Sequence, residues 1–449
     1  MEDSFTANAY FSFKDAKKVG FLGFGRSCRA LYTFLSERIG AQFVIRDEKK
    51  TLDSPPGGVT LLLGERCYER AGEDVIVLSP SVRRERREVS SLLEGGAKFS
   101  SDAEMFFGAC PENVLAVSGS DGKSTTSALV GEILKKSGFV THVCGNFGTP
   151  MTPLLEGGGD FFVTELSSFM LRYVTPRSRR AVITSLTPNH LNWHGSYAEY
   201  KECKARIYER TDEAVFNADI SEIPVSDVYA VFSSELGLGE LKKKFSAENY
   251  FTFEGGYLLK NGEKILERER LALHGIYGVK NALAALAMTD GICDTGAARE
   301  TLSSFSGLSH RCELVGELRG MKFYDSSIDT TPERTRTTLL SLDGPLTVIL
   351  GGRGKGLSPL PLIDALKKRA AAVILLGENS EEILSFLNTG GYVGEISVAS
   401  DMRAAVKIAL RLGHDTVLSP AYTSYDRYNN FEERGEDFSA AVRQLIKRG

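Results

Sequence analysis

Short apolar runs alternate with helical patterns along most of the chain. Runs typical of buried strands occupy residues 18–22, 42–47, 74–80, 114–118, 160–165, 180–185, 321–325, 346–350, 372–376 and 415–419. Several are followed by apolar residues spaced three or four apart, as in Ala128, Leu129, Ile133 and Leu134. Strands that alternate with amphipathic helices form parallel sheets with helical crossovers. The pattern therefore predicts an α/β fold throughout.

The chain has 449 residues, which is enough for several domains with separate cores. A first strand and glycine turn at residues 18–27 predict one unit, and a second glycine turn after residue 118 predicts another. A further series of strands follows residue 307. We therefore predict domains at 1–108, 109–306 and 307–449.

Composition and charge exclude several classes of protein. The net charge is −4, which gives no electrostatic reason to expect a nucleic-acid partner. No apolar run approaches the length of a membrane span, and the acidic start does not resemble a secretory signal. The seven cysteines form no CxxC pair, which is typical of a reducing compartment. We expect a cytoplasmic protein without membrane insertion.

The strongest chemical signal is the turn between an apolar strand and a helix at residues 114–126. Gly119 and Gly122 allow the backbone to approach a phosphate group, and the following helix adds its positive dipole end. Lys123, with Ser124 or Thr125, could serve phosphate and Mg²⁺. The loop departs from a standard Walker A motif, which has glycine where Val117 stands. The alternative is an ordinary glycine turn.

A second turn, Gly23-Phe24-Gly25, has the first two glycines of a dinucleotide fingerprint, and Asp47 follows at about the expected distance. Cys28 replaces the third glycine, so a nicotinamide site is weakly supported. A nucleotide with its phosphates on this turn is favoured, with residues 79–81 as another wall. The neighbouring residues 83–88 alternate in charge and predict a solvated helix face.

Further polar residues follow predicted strands. Glu165 ends an apolar strand, where a carboxylate could hold Mg²⁺ or could simply be a surface acid. His190 and Lys204, taken alone, could be an ordinary loop histidine and helix lysine. The glycine-rich turn around Lys355 could bind an anion. The segment 419–431 is too polar for core.

These features, in this order, resemble the Mur ligase family over nearly the whole chain, and especially its D-glutamate-adding branch. The resemblance rests on Gly119-Ser-Asp-Gly-Lys-Ser-Thr, Glu165-Leu-Ser-Ser-Phe, Asn189-His190, Lys204-Ala-Arg-Ile-Tyr, Asn281-Ala-Leu-Ala-Ala-Leu-Ala, Gly307-Leu-Ser-His-Arg311, the Gly-Gly-Arg-Gly-Lys355 turn, and Ser-Pro-Ala with Asn-Phe-Glu-Glu-Arg-Gly435. It implies a Rossmann-like uridine-nucleotide domain, a central P-loop ATPase domain and a C-terminal Rossmann-like domain.

The resemblance also implies a reaction. ATP would phosphorylate the carboxylate of UDP-N-acetylmuramoyl-L-alanine (UDP-MurNAc-L-Ala), and the amine of D-Glu would attack the acyl phosphate. Two Mg²⁺ ions would assist, and the enzyme would act as a monomer. Catalytic residues would be Lys123, Glu165, His190 and Lys204, the last carbamylated by CO₂.

By the same matching, each ligand is assigned a set of residues. ATP would contact Gly119, Ser120, Asp121, Gly122, Lys123, Ser124, Thr125, Asn281, Arg311 and Asp325. Metal ions would be held by Ser124, Thr125, Glu165, His190 and carbamylated Lys204. The sugar nucleotide would contact Ser27, Asp47, Ser79, Asn146 and Ser167. The incoming amino acid would contact Lys355, Ser424, Tyr425 and Phe431.

Departures from the family pattern affect the expected acceptor. Asp121 and Asn189 exchange the acid and amide that the family has at these positions, and Tyr277-Gly278 replaces His-Asn. The usual Ser-Lys-Ala-Thr becomes residues 326–329, Ser-Ser-Ile-Asp, which removes a cation and adds an acid. We therefore expect that a basic amino acid such as lysine is also accepted.

Three classes of alternative function remain open. The first is a related ligase, either another Mur ligase or a folylpolyglutamate-type synthetase, although the uridine-type first domain disfavours the folate enzyme. A nicotinamide-dependent oxidoreductase would use the turn at Gly23, and the phosphate loop at Lys123 argues against it. A nucleotide-gated interaction protein is the third.

Overall fold

A computed structural model describes residues 13–109, 111–220, 228–354 and 358–447. In these residues the strands form three sheets, each flanked by helices and rich in parallel pairs. The α/β class predicted from the alternation of strands and helices is therefore confirmed. No helix in the described ranges is both long and apolar enough to cross a lipid bilayer.

The first sheet has five parallel strands in the order β3-β2-β1-β4-β5. Its strands are β1 Lys18–Leu22, β2 Gln42–Asp47, β3 Thr60–Leu63, β4 Val75–Leu78 and β5 Lys98–Ser100. Its helices are α1 Arg26–Ser36, α2 Arg87–Ser90 and α3 Asp102–Gly108. This strand order matches the first five of the six strands of the Rossmann order 3-2-1-4-5-6, and β4 is buried along its length, as its apolar sequence predicts.

The prediction of a solvated helix face at residues 83–88 is wrong for most of that segment. Only α2, which begins at Arg87, is helical there, and residues 83–86 form a turn. Arg83 and Arg84 are half-buried because they pair with acids on other segments.

The second sheet has nine strands in the order β14-β13-β12-β11-β10-β9-β6-β8-β7. The pairs from β7 to β12 are parallel, and β12, β13 and β14 form an antiparallel extension. The strands are β6 Val114–Ser118, β7 Thr141–Gly145, β8 Phe161–Glu165, β9 Ser178–Ile183, β10 Thr211–Asn217, β11 Val228–Ser233, β12 Ala247–Glu254, β13 Tyr257–Lys260 and β14 Glu263–Glu267. The helices are α4 Lys123–Lys136, α5 Leu154–Gly157, α6 Ser168–Leu171, α7 Leu191–His194, α8 Tyr197–Ala205, α9 Leu238–Lys244, α10 Gly275–Thr289 and α11 Thr295–Ser304.

The third sheet has six strands in the order β15-β16-β20-β17-β18-β19. All its pairs are parallel except the hairpin of β15 and β16. The strands are β15 Glu313–Leu318, β16 Met321–Asp325, β17 Leu346–Leu350, β18 Ala370–Leu375, β19 Glu395–Val398 and β20 Asp415–Leu418. The helices are α12 Pro332–Ser341, α13 Leu360–Arg369, α14 Ser380–Thr389, α15 Met402–Leu412 and α16 Phe431–Ile446.

The chain divides into two compact units. One contains Met1–Arg268 with Lys280–Leu302, and the other contains Glu269–Val279 with Ser303–Gly449. The first and second sheets belong to the first unit, and the third sheet belongs to the second. The finer boundaries at 109 and 307 stay predictions.

Candidate active site

The predicted phosphate loop joins β6 to α4. Gly122 precedes the helix with φ of +82°, a left-handed conformation that favours glycine. The end of β9 supports the loop, since Thr184 Oγ1 donates to the carbonyl of Asp121 at 2.5 Å and the Asp121 amide donates to Ser185 Oγ at 2.8 Å. The loop is thereby fixed at the start of a 14-residue helix, whose first N–H groups have no intrahelical acceptor. Such an arrangement binds anions.

Two lysines converge on this loop. Lys123 Nζ donates to the carbonyls of Gly119 and Ser120, both at 2.8 Å. Lys204, from α8, donates to the same Gly119 carbonyl at 2.8 Å and to Ser118 Oγ at 3.3 Å. Lys204 is only 1% exposed. Burial lowers its pKa well below the ordinary value, and Lys123 adds to the effect.

Glu165 lies at the carboxyl end of β8, directly beside β6. It is fully buried, and its Oε1 accepts a hydrogen bond of 2.5 Å from Asn146 Nδ2. Its Oε2 is buried without a hydrogen-bond partner among the described residues. An unsatisfied buried carboxylate oxygen is costly, and a cation would satisfy it. Buried Ser124, in the first turn of α4, supplies the hydroxyl that usually accompanies such a carboxylate, so these donors fit Mg²⁺.

His190 is exposed and immediately precedes α7, with φ of +54°. Its ring lies 4.9 Å from that of Phe169, in α6. Ser167, predicted to touch substrate, caps α6 by accepting a hydrogen bond from the Met170 amide at 3.2 Å. The hydroxyl of Ser167 therefore has a structural role as a cap.

Two predicted sugar-nucleotide residues contact the glycine turn of the first sheet, and a third lies in the helix that follows the turn. Asp47 Oδ2 accepts a hydrogen bond from the Phe24 amide at 2.9 Å, so this acid holds the turn. Ser79 packs so close to Gly23 that a Cβ at Gly23 would lie 2.8 Å from the Ser79 Cβ. Ser27 is half-buried in the first turn of α1. The structure thus brings Asp47 and Ser79 to the same turn.

Sequence reasoning missed two residues of this region. Arg26 donates to the carbonyls of Gly145, Asn146 and Gly148 at 2.9–3.1 Å, so it ties α1 to the loop that carries Asn146. Its position between the glycine turn and Ser27 was the available signal. Tyr200 approaches Ser120 of the phosphate loop, with 2.8 Å between the two hydroxyl oxygens, and no motif indicated it.

Asn281, predicted to bind the adenosine side of ATP, lies against the phosphate loop. Thr126 Oγ1 donates to its Oδ1 at 3.4 Å. The same oxygen would collide with a Cβ added to Gly122. The contact explains the glycine at position 122, in addition to its backbone conformation.

In the second unit, Asp325 ends β16 and is fully buried. Its Oδ2 lies 2.7 Å from His310 Nδ1, and its Oδ1 accepts from the Ser327 amide at 2.9 Å. The hydrogen bond to Asp325 raises the pKa of His310. Phe431 lies edge-on to His310 at 6.3 Å, and its carbonyl accepts a 2.8 Å hydrogen bond from Ser327 Oγ. Asp325 and Phe431 are therefore neighbours.

The remaining predicted residues of this unit differ in exposure. Arg311 is half-buried and follows His310, while Ser424 is 2% and Tyr425 is 61% exposed. Lys355 lies outside the described residues.

Comparisons with known proteins all indicate one family. Residues 117–289 match the Mur ligase middle domain. The chain is 34% identical over 464 residues to a UDP-N-acetylmuramoylalanine–D-glutamate ligase of Clostridium botulinum, covering 97% of this chain and 99% of the relative. A protein of the same name from Symbiobacterium thermophilum is 34% identical over 86% of this chain and 88% of its own length.

A solved structure extends this likeness to the fold. The UDP-N-acetylmuramate–alanine ligase of Thermotoga maritima superimposes with a TM-score of 0.60 at 18% identity, over 95% of this chain and 99% of that one. The near full-length relatives and the matching middle domain indicate the same family, and the geometry of the loop between β6 and α4 is consistent with it. The chain belongs to the Mur ligase family of ATP-dependent acid–amino-acid ligases.

Proposed function

We propose that this enzyme joins D-glutamate to UDP-MurNAc-L-Ala at the expense of ATP. The substrate carboxylate attacks the γ-phosphorus of ATP, which forms an acyl phosphate and releases ADP. The D-Glu amine then attacks the acyl carbon, loses a proton and displaces inorganic phosphate, which leaves an amide. The names of the full-length relatives support these substrates.

The observation that carries the proposal is the buried, unpartnered Oε2 of Glu165 beside the phosphate loop. A binding module for a nucleotide would need the loop but not this carboxylate. Phosphoryl transfer between two anions requires a metal ion to offset their charge, and the orphaned oxygen provides a ligand for one. Mg²⁺ bound there would neutralise the phosphate oxygens.

Each remaining residue has a role in binding or orientation. The loop residues Gly119, Ser120, Asp121 and Gly122 and the Lys123 ammonium would bind the ATP phosphates, and Asn281 would orient the adenosine side. Ser124, Thr125 and Glu165 would hold one Mg²⁺, and His190 a second. Asn146 would keep Glu165 in place through its amide. Arg311 and Asp325 would bind the adenosine and ribose.

Lys204 fits this scheme only in a modified form. A protonated lysine would repel a metal ion next to Glu165. Burial and the neighbouring Lys123 favour the neutral amine, which is the form that reacts with CO₂. The neutral amine attacks the CO₂ carbon, an N–C bond forms as one C=O π bond opens, and one N–H proton is released, so the amine becomes an anionic carbamate. We therefore include carbamylation of Lys204 in the proposal.

The substrate sites follow the sequence resemblance. Ser27, Asp47, Ser79 and Ser167 would face the sugar nucleotide, and Lys355, Ser424, Tyr425 and Phe431 the acceptor amino acid. We further propose domains at 1–108, 109–306 and 307–449, and a monomer acting in the cytoplasm.

Acceptance of lysine is the finer part of the proposal and depends on residues 326–329. Asp329 is 5% exposed, and its Oδ2 accepts hydrogen bonds from Thr338 and Ser419, both at 2.7 Å. This carboxylate therefore orders the loop through the two hydroxyl groups. Ser327, in place of a lysine, remains the reason to expect a relaxed preference for acidic acceptors.

The test is product formation with purified enzyme, ATP, Mg²⁺ and UDP-MurNAc-L-Ala, offering D-Glu, L-Glu, D-Lys and L-Lys in turn. The proposal expects the D-Glu amide as the main product and a slower lysine product, each identified by mass. Absence of the D-Glu product would contradict the proposed function. Absence of both lysine products would contradict only the proposed acceptance of lysine. Carboxylate labelled with ¹⁸O should transfer one label to phosphate if an acyl phosphate forms.

A further inference from the structure

A tryptophan connects the loop beside the predicted sugar-nucleotide site to the segment that carries His190. Trp193, in α7, donates a hydrogen bond of 2.8 Å from its Nε1 to the carbonyl of Ser81. Ser81 lies two residues from Ser79, and their hydroxyl oxygens are 3.3 Å apart. The indole therefore contacts the loop on which the uridine diphosphate is expected to lie.

Arg83 makes a second connection between the same two segments. It donates to the carbonyl of Trp193 at 2.6 Å and to Glu199, at the start of α8, at 3.1 Å. Its guanidinium also lies over the indole, 5.6 Å from the ring centroid. Arg172 pairs with the same carboxylate of Glu199 and with Glu85, which extends the network on both sides. Paired, half-buried charges of this kind hold geometry better than isolated surface pairs.

His190 is attached to the opposite end of this bridge. The Trp193 amide donates to the His190 carbonyl at 2.9 Å, and the Phe169 ring packs on both Trp193 and His190, at 4.5 and 4.9 Å. His190 has a positive φ, which costs a non-glycine residue free energy, so the surrounding structure must hold the conformation. The contacts with Trp193 and Phe169 contribute to this, as does Asn189 Oδ1, which accepts a hydrogen bond from the His190 amide at 2.9 Å.

We infer that Trp193 is a positioning residue through which the loop 79–83 sets the position of His190. The inference rests on the proposed function, in which His190 holds a metal ion and Ser79 faces the sugar nucleotide. Occupation of the sugar-nucleotide site would steady the Ser81 carbonyl and hence the indole. The metal-binding imidazole would then be held most firmly when the substrate to be phosphorylated is bound.

The first test replaces Trp193 with phenylalanine, which keeps an aromatic ring against Phe169 and removes the donor to Ser81. Loss of one positioning hydrogen bond should lower kcat about five- to tenfold. The KM for UDP-MurNAc-L-Ala should stay within about twofold, because the indole does not itself bind substrate. The Mg²⁺ concentration for half-maximal rate should rise, and excess Mg²⁺ should restore part of the rate. A purely structural role would lower the unfolding temperature and leave the Mg²⁺ dependence unchanged, which would overturn the inference.

The second test uses Trp193 as a reporter, since it is the only tryptophan of the chain. Titration of the wild type with UDP-MurNAc-L-Ala, without ATP, should shift the tryptophan emission in parallel with binding measured by calorimetry. Arg83→Lys keeps the positive charge and the indole. It replaces the two guanidinium nitrogens that separately reach Trp193 and Glu199 with a single ammonium nitrogen, so the shift should fall by at least half. Arg86→Lys is the matched control, because Arg86 belongs to the same arginine run but pairs with Glu48.

These outcomes separate the inference from the proposed function. An unchanged emission at saturation of the wild type, or equal shifts in Arg83→Lys and Arg86→Lys, would overturn the inference alone. Absence of binding in the calorimeter would overturn the proposed function and the inference together. If Trp193→Phe does not fold, kcat and the Mg²⁺ dependence are measured for Arg83→Lys and Arg86→Lys instead. A higher Mg²⁺ requirement in Arg83→Lys alone supports the inference, and equal Mg²⁺ requirements overturn it.

Discussion

Lys123 and Lys204 donate hydrogen bonds to the same oxygen, the carbonyl of Gly119, each at 2.8 Å. Two ammonium groups on one acceptor repel each other, and the buried one has no water to stabilise its charge. Burial therefore lowers the pKa of Lys204 well below the ordinary value of a lysine, and the nearby Lys123 adds to this effect. One carbonyl oxygen thus joins the lysine that we propose binds phosphate to the lysine that we propose is carbamylated.

Replacement of Lys204 by alanine should lower the ligation rate at least about a hundredfold, a loss typical of a removed electrostatic group at a reaction centre. A short carboxylic acid should restore part of the rate, because it can occupy the space of the carbamate. Lys201→Ala, on the same helix, is the control and should stay close to wild type. Full activity of Lys204→Ala without additives would remove this residue from the site.

Gly122→Ala should raise the KM for ATP, because the new methyl group collides with Asn281 and displaces the phosphate loop. Gly138→Ala is a matched control, since Gly138 has a similar φ of +91° but open space around its Cβ position. Both changes should cost about 1 kcal/mol of stability through backbone strain. Equal KM values for ATP in the two variants would show that the contact with Asn281 does not matter.

His194 should make the enzyme sensitive to acid. It is fully buried, its Nε2 lies 2.9 Å from Ser168 Oγ, and burial lowers its pKa to about 4 from an ordinary 6.5. Between these values the unfolded chain binds a proton that the folded chain does not, so stability falls as the pH drops from 6.5 towards 4. Glu199, 3.9 Å from Nδ1, is the acid that faces the ring. The nearby basic groups His190, Lys204, Arg172 and Arg83 oppose protonation of the His194 ring.

His194→Gln keeps a polar partner for Ser168 and does not titrate. Its unfolding temperature, measured from pH 7.5 to 4.5, should therefore fall less steeply than that of the wild type. Parallel curves for the two proteins would contradict the assignment.

Much of the fold could be predicted because apolar runs between glycine turns mark parallel strands. The strands 42–47 and 346–350 have the bounds that their sequences predict. The glycine turn between β6 and α4 was predictable too, since its glycines and lysine are adjacent in sequence. The position of Glu165 at the end of β8 also followed from the apolar run before it.

Contacts between distant segments could not be predicted in the same way. The charge alternation at residues 83–88 does not reveal that Arg83 pairs with Glu199, because the partner is 116 residues away. Similarly, the composition around Asp329 does not indicate that Ser419 buries this acid. Such pairings depend on which loops the sheets bring together, and a single sequence does not specify that.

The most direct measurement of the central claim is phosphate release from ATP and Mg²⁺ with each substrate omitted in turn. The account predicts sustained turnover only when UDP-MurNAc-L-Ala and D-Glu are both present, and its loss in Lys123→Met, which removes the phosphate-binding charge. Equal ATP cleavage without the sugar nucleotide, or unchanged turnover in Lys123→Met, would contradict it.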